Sequence, residues 1–310
     1  MARGTLRVHA AIGPGVRDGA SRPSPLTGHS LVRGVRGREM AETKVAVFGA
    51  GGKMGRTVCR AVMDDPELVL SAALDPRLVG IDLAQATGIN GTGMQIISSP
   101  ESLAPGSVDV AVDFTRAEAA VANAIFCAGA GIHAVIGTTG ISEHEMARIE
   151  EAFARSSANC IVAANFAIGA VLMMKFAEMA APFFESIEVV ELHHENKVDA
   201  PSGTALTTAK RMVEARRGEP LLADPTTSSL DGARGYELPG GVRLHSLRIK
   251  GMMAHQEVLL GTTGQTLTIR HDSYDRSSFM PGVLMAVKAI ADFPGVTIGL
   301  DPIVDARLRF

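Results

Sequence analysis

The sequence predicts an α/β protein in which a doubly wound parallel sheet is followed by a smaller α+β domain with a mixed sheet. From Met40 onward, short apolar runs alternate with helical segments, as they do in successive βα units. The first apolar run ends in a glycine-rich loop that opens a helix. After residue 166 the pattern changes to a long apolar helix and several strands joined by turns. These three observations support the fold class.

Composition is ordinary for a globular protein and argues against several functional classes. Hydrophobic residues make up 46% and charged residues 20% of the 310 residues, and the formal net charge is −3. This balance gives no reason to expect nucleic acid or an anionic membrane as a partner. No apolar run reaches the roughly 18 residues of a membrane-spanning helix. The cysteines lie far apart without metal-ligand spacing, so we expect free thiols, no metal site and a cytoplasmic location.

Residues 1–39 differ from the rest because they are rich in arginine, poor in acidic residues and without a sustained apolar period. We expect them to be disordered. Translation that begins at Met40 is the favoured explanation, and a transit peptide is the alternative. The remainder divides into a dinucleotide-binding domain over 40–165, a substrate-binding and oligomerisation domain over 166–275, and a C-terminal return to the first domain over 276–310.

The first predicted strand, Lys44–Phe48, leads into the glycine-rich loop and then into a helix. Glycines let the backbone approach a pyrophosphate, and the helix N-terminus attracts its charge. The spacing departs from the usual G-x-G-x-x-G, because Met54 stands where a glycine is expected and the third glycine is Gly55. The candidate cofactor residues in this Rossmann-like unit are Gly49, Ala50, Gly51, Gly52, Lys53 and Met54.

The next predicted strand, Leu68–Leu74, ends at Asp75. An acidic residue about 20 positions beyond the glycine loop binds the ribose hydroxyls in dinucleotide-binding domains. Such a carboxylate favours NADH because it repels a 2′-phosphate. Arg77 or Lys53 could offset that repulsion, so NADH and NADPH both remain candidates.

Three further predicted strands end in polar or glycine-bearing loops. They are Val108–Thr115, Ile132–Ile136 and Cys160–Asn165, and the intervening helices are 117–128 and 142–156, the latter with a Ser142/Glu145 capping box. The carboxyl ends of parallel strands meet at one edge, where ligands bind. The further cofactor candidates at that edge are Gly137, Thr138, Thr139, Ala163, Ala164, Asn165 and Phe166.

The second half begins with a largely buried helix and then alternates strands with a helix and a long loop. The predicted elements are helix 167–184, strand Ser186–Leu192, helix 204–217, a surface loop or lid over 221–241, strands 242–249, 256–262 and 265–272, helix 279–291 and strand 296–300. A hairpin turn is expected at Thr263-Gly264, between the last two strands before the closing helix.

The stretch Glu191–Ala205, which we call the signature segment, carries the candidate chemistry. His193, His194 and Lys197 follow a strand, and Ser202-Gly203-Thr204 opens a helix. A helix N-terminus can bind a carboxylate, and neighbouring titratable groups can move a proton. An isolated His-His pair is more often one buried and one exposed histidine, since strand neighbours face opposite ways. The attached lysine and anion-binding turn favour catalysis.

Three alternatives compete with a reductase that uses the signature segment to supply a proton. Zinc binding by His193 and His194 lacks a third ligand at suitable spacing. The enzymatic alternative is another two-domain reductase, such as a semialdehyde or homoserine dehydrogenase. Cys160 could be the nucleophile of an acylating dehydrogenase, but it begins a predicted strand instead of ending one. A non-catalytic dinucleotide sensor would need no proton donor, so the intact signature segment counts against it.

Together these motifs resemble the 4-hydroxy-tetrahydrodipicolinate reductase (dihydrodipicolinate reductase) family of diaminopimelate and lysine biosynthesis. The resemblance is carried by residues 47–56, Asp113-Phe-Thr115, 137–140, 163–166 and, most specifically, 191–204. It implies reduction of a cyclic dicarboxylate with NADH or NADPH, in a homotetramer joined through the C-terminal sheets and with a hinge between domains. Some members carry an arginine where this chain has Pro76, which argues against a strong preference for NADPH.

The resemblance also implies residue roles. His193 would be the proton donor and acceptor, and Lys197 the proton donor. The substrate would be held by His194, Ser202, Gly203 and Thr204.

Overall fold

The computed structural model describes residues 42–89, 93–227 and 229–309, so the prediction for residues 1–39 lies outside it. The predicted fold class is confirmed, because a parallel sheet flanked by helices is followed by a mixed sheet. Within the described part, no helix is both long and apolar enough to cross a membrane.

The strands alternate with helices through the first half and cluster together in the second. The strands are β1 (Thr43–Phe48), β2 (Leu68–Leu74), β3 (Val110–Asp113), β4 (His133–Ile136), β5 (Cys160–Val162), β6 (Ser186–His193), β7 (Tyr236–Glu237), β8 (Arg243–Arg248), β9 (Ala254–Thr262), β10 (Gln265–Ser273) and β11 (Val296–Ile298). The helices are α1 (Lys53–Asp64), α2 (Leu83–Thr87), α3 (Ala117–Ala130), α4 (Glu143–Ala154), α5 (Ile168–Ala180), α6 (Gly203–Ala215), α7 (Met280–Ala289) and α8 (Asp301–Leu308).

The first sheet is parallel, with strand order β11-β5-β4-β3-β1-β2. Helices α1, α5 and α7 contribute to the core on one face, and α3 and α4 contribute to the core on the other. Every residue of β3 and β5 is buried, as expected for strands that are covered on both faces. β11 pairs in parallel with β5, so the end of the chain returns to the first sheet.

Three strands of this sheet, β3, β5 and β11, end earlier than predicted. β3 stops at Asp113 because that side chain accepts hydrogen bonds from the backbone N–H and hydroxyl of Thr115 and turns the chain. β5 stops at Val162, which leaves 163–166 as a loop at the sheet edge. The predicted capping box of α4 is confirmed, since Ser142 and Glu145 exchange hydrogen bonds.

The second sheet is mixed, with strand order β10-β9-β6-β8-β7, and only β6 and β8 run parallel. Residues of α5 and α6 pack against one face with Ile187, Val189 and Val258. The opposite face, which we call the open face, carries the alternate residues of each strand. The signature segment joins β6 to α6, where Thr204 accepts a hydrogen bond from Asn165 in the loop after β5.

Three short elements were missed by the sequence analysis. They are α2, α8 and β7, the last of which lies within the predicted loop 221–241. None has the sustained apolar periodicity that identifies longer elements. β7 is fixed instead by pairing with β8, at the edge of the second sheet.

A substitution at Gly55 tests how closely α1 packs against the glycine loop. A Cβ at this position would lie 2.1 Å from the carbonyl oxygen of Gly49. We expect Gly55→Ala to lower the free energy of unfolding by about 1–3 kcal/mol, because the backbones must separate. Urea denaturation followed by circular dichroism measures this change.

The matched control is Gly129→Ala in α3, where an added Cβ meets no described atom within 4 Å outside its helix. This substitution should raise the free energy of unfolding by roughly 0.5–1 kcal/mol, since alanine favours a helix interior. Equal effects of the two substitutions would contradict the packing argument.

Candidate active site

The glycine loop is held tightly against the end of β2. The backbone N–H groups of Gly49 and Ala50 both donate to the carbonyl of Leu74, at 2.8 and 3.0 Å. Gly49 has a φ of +79°, which favours glycine. A Cβ at Gly51 would lie 2.7 Å from a carboxylate oxygen of Asp75. The loop therefore passes the acidic side chain at a distance that only glycine permits.

A cleft beside this loop fits a nucleotide. Its volume is about 820 Å³, within the range of small-molecule sites. No described side chain caps α1, so the N–H groups of its first turn can bind an anion such as a pyrophosphate. The lining includes Gly49, Gly52, Asp75, Pro76, Arg77, Phe114, Thr115 and Arg116. The residues present therefore fit a dinucleotide.

Asp75 lies at the bottom of this cleft and is only 2% exposed. It accepts a hydrogen bond from the backbone N–H of Arg77 at 3.0 Å. The Arg77 guanidinium lies 3.5 Å from the same carboxylate and is largely exposed. A carboxylate suited to ribose hydroxyls and a cation suited to a phosphate are thus side by side.

A buried carboxylate, Asp113, ties together the loops that follow β3 and β4. It accepts hydrogen bonds from Thr115, from the Asn123 amide at 2.7 Å and from the Thr138 hydroxyl at 3.3 Å. Burial raises the pKa of Asp113, and these hydrogen bonds offset only part of that rise. The side chain therefore shapes the sheet edge and does not face solvent.

Aromatic rings fill the space between the loops after β3 and β5. A Cβ at Gly137 would lie 2.1 Å from the ring of Phe114, so a larger residue there would displace that ring. The Phe114 and Phe166 rings are 6.0 Å apart, in a tilted arrangement. The remaining predicted cofactor residues differ in exposure: Lys53, Thr139 and Ala164 are exposed, Met54 and Asn165 are half-buried, and Ala50, Ala163 and Phe166 are buried.

Predicted residues from both halves of the chain line one small cavity, which we call the junction cavity. Its volume is about 50 Å³, enough for one or two water molecules. Its lining includes Asn165, Ala170, His193, Ser202, Thr204, His255, Gln256 and His271. The Asn165 amide donates to the Thr204 hydroxyl at 3.3 Å, so the loop after β5 contacts the start of α6.

The signature segment is organised around Glu191, which is fully buried. One carboxylate oxygen lies 2.5 Å from Nδ1 of His193 and 2.9 Å from Nη1 of Arg248. The other accepts from Nη2 of Arg248 at 3.0 Å and from the Ser202 N–H at 3.2 Å. Burial raises the pKa of Glu191, but hydrogen bonds from His193 and Arg248 outweigh it and lower the pKa to about 2. Glu191 is therefore ionised at neutral pH.

Arg248 also fixes the turn after His194. Its guanidinium donates to the backbone carbonyls of Lys197 at 3.3 Å and Asp199 at 2.5 Å. The Lys197 ammonium contacts both carboxylate oxygens of Asp199, at 2.8 and 2.9 Å. This hydrogen bond holds the pKa of Asp199 below its ordinary value. The described lining of the junction cavity does not include Lys197 or His194, so Lys197 must leave Asp199 to reach it.

At the start of α6, the three predicted substrate residues differ in their contacts and in their exposure. The Ser202 hydroxyl accepts from the Ala205 N–H at 3.2 Å and caps the helix. Ser202 is buried, whereas Gly203 is exposed and Thr204 is half-buried. The first-turn N–H groups and the Thr204 hydroxyl are thus better placed to meet a ligand than the Ser202 hydroxyl.

Glu191, Arg248, Gln256 and His271 were missed as candidate site residues. Period-two alternation places Glu191 on the same face of β6 as His193, a signal that was available in the sequence. Arg248 enters the site because β8 pairs in parallel with β6 and aligns it with His193. No sequence pattern specifies that pairing.

The structure bears on two of the alternatives, the Cys160 nucleophile and the metal site. Cys160 is fully buried and burial raises its pKa, whereas a nucleophile must be an accessible thiolate. Among the described residues, no group of three or more His, Cys, Asp or Glu side chains could hold a metal ion.

Both halves of the chain match models of the same protein family. Residues 43–166 match the model for the N-terminus of dihydrodipicolinate reductase, and residues 169–303 match the model for its C-terminus. A 4-hydroxy-tetrahydrodipicolinate reductase of Corynebacterium urealyticum is 49% identical over 83% of this chain and 97% of its own length. The protein of the same name from Mycolicibacterium smegmatis is 46% identical over 84% and 99%.

Solved structures agree with these relatives. A dipicolinate-bound dihydrodipicolinate reductase from Paenisporosarcina has a TM-score of 0.75 and 37% identity, over 84% of this chain and 99% of that one. An amine dehydrogenase from Mycobacterium smegmatis, at TM-score 0.59 and 13% identity over 84% and 95%, shares the fold alone.

Proposed function

The chain belongs to the dihydrodipicolinate reductase family, and from that premise we propose how its residues reduce 4-hydroxy-tetrahydrodipicolinate with NADH or NADPH. The family's reaction serves diaminopimelate and lysine biosynthesis. The observation that carries the proposal is the junction cavity, which is lined by His193, by Asn165 of the first domain and by Thr204 of the second. A proton donor, a dicarboxylate site and the nicotinamide-side loop thereby share one space.

The first domain binds the dinucleotide, which supplies the hydride when it is bound. Gly49–Met54 and the start of α1 hold its pyrophosphate, and Asp75 accepts hydrogen bonds from the ribose. The loops 137–139 and 163–166 surround the nicotinamide end. The positive φ of Gly49 and the close approach of Gly51 to Asp75 support this assignment.

The second domain binds the dicarboxylate. The start of α6 offers the backbone N–H groups of Gly203 and Thr204 and the Thr204 hydroxyl to a carboxylate. His194 and Ser202 complete this site, with Ser202 acting through the helix cap that it forms. The junction cavity is smaller than the substrate ring, so it forms only part of the substrate site.

His193 and Lys197 supply the proton that the leaving hydroxyl takes up as it departs as water. Because Nδ1 of His193 is engaged by Glu191, Nε2 is the atom available to the substrate. Lys197 becomes available when the substrate draws it from Asp199, since a second anion competes for the same ammonium.

We infer a cytoplasmic location from the three cysteines, which are all free thiols and buried.

Substitution of either proton donor is expected to lower kcat and spare cofactor binding. General acid catalysis is typically worth about 10²–10⁴-fold, so His193→Gln and Lys197→Ala should lower kcat by about that much. Activity is measured as NADH oxidation that depends on freshly made dihydrodipicolinate synthase product. The dissociation constant of NADH is measured by nicotinamide fluorescence.

The controls are His144→Gln and Lys210→Ala, at exposed positions on α4 and α6. Both should retain wild-type kcat. Loss of NADH binding in His193→Gln or Lys197→Ala would contradict the assigned roles. Absence of product-dependent NADH oxidation in the wild-type protein would contradict the proposed reaction itself.

Cofactor preference tests the roles of Asp75 and Arg77. Asp75→Asn removes the charge that repels a 2′-phosphate, so we expect the ratio of kcat/KM for NADPH to that for NADH to rise about tenfold or more. Arg77→Ala should change the ratio in the opposite direction. If both substitutions leave it unchanged, this cleft does not contact the adenosine ribose.

We propose that the protein forms a homotetramer through the open face of the second sheet. Partly exposed apolar residues recur there on neighbouring strands, namely Val190, Leu192, Leu247 and Leu259. Apolar side chains that recur on an otherwise charged face suggest an interaction site. The opposite face is already covered by α5 and α6.

Light scattering on two leucine variants tests this assembly. Leu259 and Leu267 are each 38% exposed, but Leu267 pairs with buried Leu260 and lies on the helix-covered face. We expect Leu259→Asp to convert a species of four 32.4 kDa chains into smaller ones and Leu267→Asp to leave it intact. Equal masses for both variants would place the interface elsewhere.

A further inference from the structure

We propose that Glu191 is a positioning residue for the reaction: its buried carboxylate fixes His193 through Nδ1, so that Nε2 faces the junction cavity. The proposal rests on the proposed function, since it concerns the residue that delivers the proton. This role accounts for a charged side chain that is completely buried in the second domain.

The geometry leaves His193 little freedom. Glu191 and His193 are two residues apart on β6, so their side chains lie on the same face of the sheet. A carboxylate that accepts from Nδ1 selects one tautomer and one ring orientation, as it does in other carboxylate–histidine pairs. The opposite nitrogen then has a fixed place relative to the cavity.

Arg248 allows the imidazole to gain and lose a proton beside a buried anion. The guanidinium contacts both oxygens of Glu191, so the carboxylate remains paired when His193 is neutral. The other titratable side chains that line the junction cavity are His255 of β9 and His271 of β10. Glu191 supplies the only carboxylate within the described hydrogen-bonding contacts of His193.

Glu191 also connects the proton donor to the dicarboxylate site. The Ser202 N–H donates to the carboxylate at 3.2 Å, and Ser202 is the cap of α6. One side chain therefore sets the position of His193 relative to the helix N-terminus that holds the substrate. A shift of about 1 Å in such an arrangement can cost about 10²-fold in rate.

β6 provides an internal comparison. Glu188 contacts a histidine and an arginine as Glu191 does, with Nε2 of His245 at 2.8 Å and Nη2 of Arg234 at 2.6 Å. It lies three residues earlier, so its side chain is on the open face and away from the junction cavity. Glu188→Gln is therefore a control for the loss of a strand carboxylate that pairs with histidine and arginine.

The first experiment compares Glu191→Gln with Glu188→Gln in the full-length enzyme. We expect Glu191→Gln to lower kcat at least tenfold while the NADH dissociation constant stays within twofold of wild type. We expect Glu188→Gln to change neither quantity, with its assembly checked by light scattering. Wild-type kcat in Glu191→Gln would overturn the proposal.

The pH profile separates positioning from simple structural support. Removal of an anion beside an imidazole disfavours the protonated form, so activity in Glu191→Gln should be lost at lower pH on the alkaline side of the kcat profile. A uniform loss of kcat at every pH would point to a merely structural role and overturn the proposal.

A double-mutant cycle provides the second test. If Glu191 acts through His193, then Glu191→Gln should lower kcat less than twofold when it is introduced into His193→Gln. Full additivity of the two losses would contradict the proposal. If wild-type enzyme itself lacks product-dependent NADH oxidation, the proposed function fails instead, so the two failures are distinguishable.

Glu191→Asp keeps the experiment decisive if Glu191→Gln does not fold. This variant retains the charge but withdraws the carboxylate by about one bond length, roughly 1.5 Å. We expect a lower kcat with the alkaline side of the profile unchanged. Wild-type kcat in a folded Glu191→Asp would show that the carboxylate position does not matter, which overturns the proposal.

Discussion

The burial of one ionised carboxylate, Glu191, constrains the whole second half of the site. A buried charge is costly unless it is paired and hydrogen-bonded, so every element that packs around it must bring a donor. β6 supplies the His193 imidazole, β8 supplies the Arg248 guanidinium, and α6 supplies the Ser202 N–H. Because these donors converge on one group, the order of the strands, the turn after His194 and the start of α6 depend on one another.

The first half depends on a different constraint, which is the close approach of backbone to backbone. Gly49, Gly51 and Gly55 lie where an added Cβ would strain the turn, meet Asp75 or meet the preceding loop. These positions give up side-chain packing and leave the first turn of α1 open to an anion. The two halves then meet through Asn165 and Thr204, so the loop after β5 and the start of α6 share one hydrogen bond.

The sequence predicted most long elements, since apolar periodicity and caps are local properties. It also singled out the glycine loop, Asp75 and the signature segment as candidates for the site, because their residue types suggest their chemistry wherever they fold. The sequence did not indicate that Arg248 lies beside His193. That placement comes from the parallel pairing of β6 and β8, which are separated by a long connection. The sequence also did not show that Lys197 pairs with Asp199 and lies outside the junction cavity. Both residues follow the same turn, where no regular period sets the direction of the side chains.

By itself, the sequence determined the fold class, the family resemblance and the kinds of group at the sheet edge. These follow from short-range patterns: apolar period, glycine spacing and the order of titratable residues. The tertiary structure decided which of those groups share a cavity, which nitrogen of His193 contacts Glu191 and which carboxylate is buried. Such choices depend on side chains from distant strands meeting in a region where an unpaired charge is not tolerated, and no local pattern encodes that meeting.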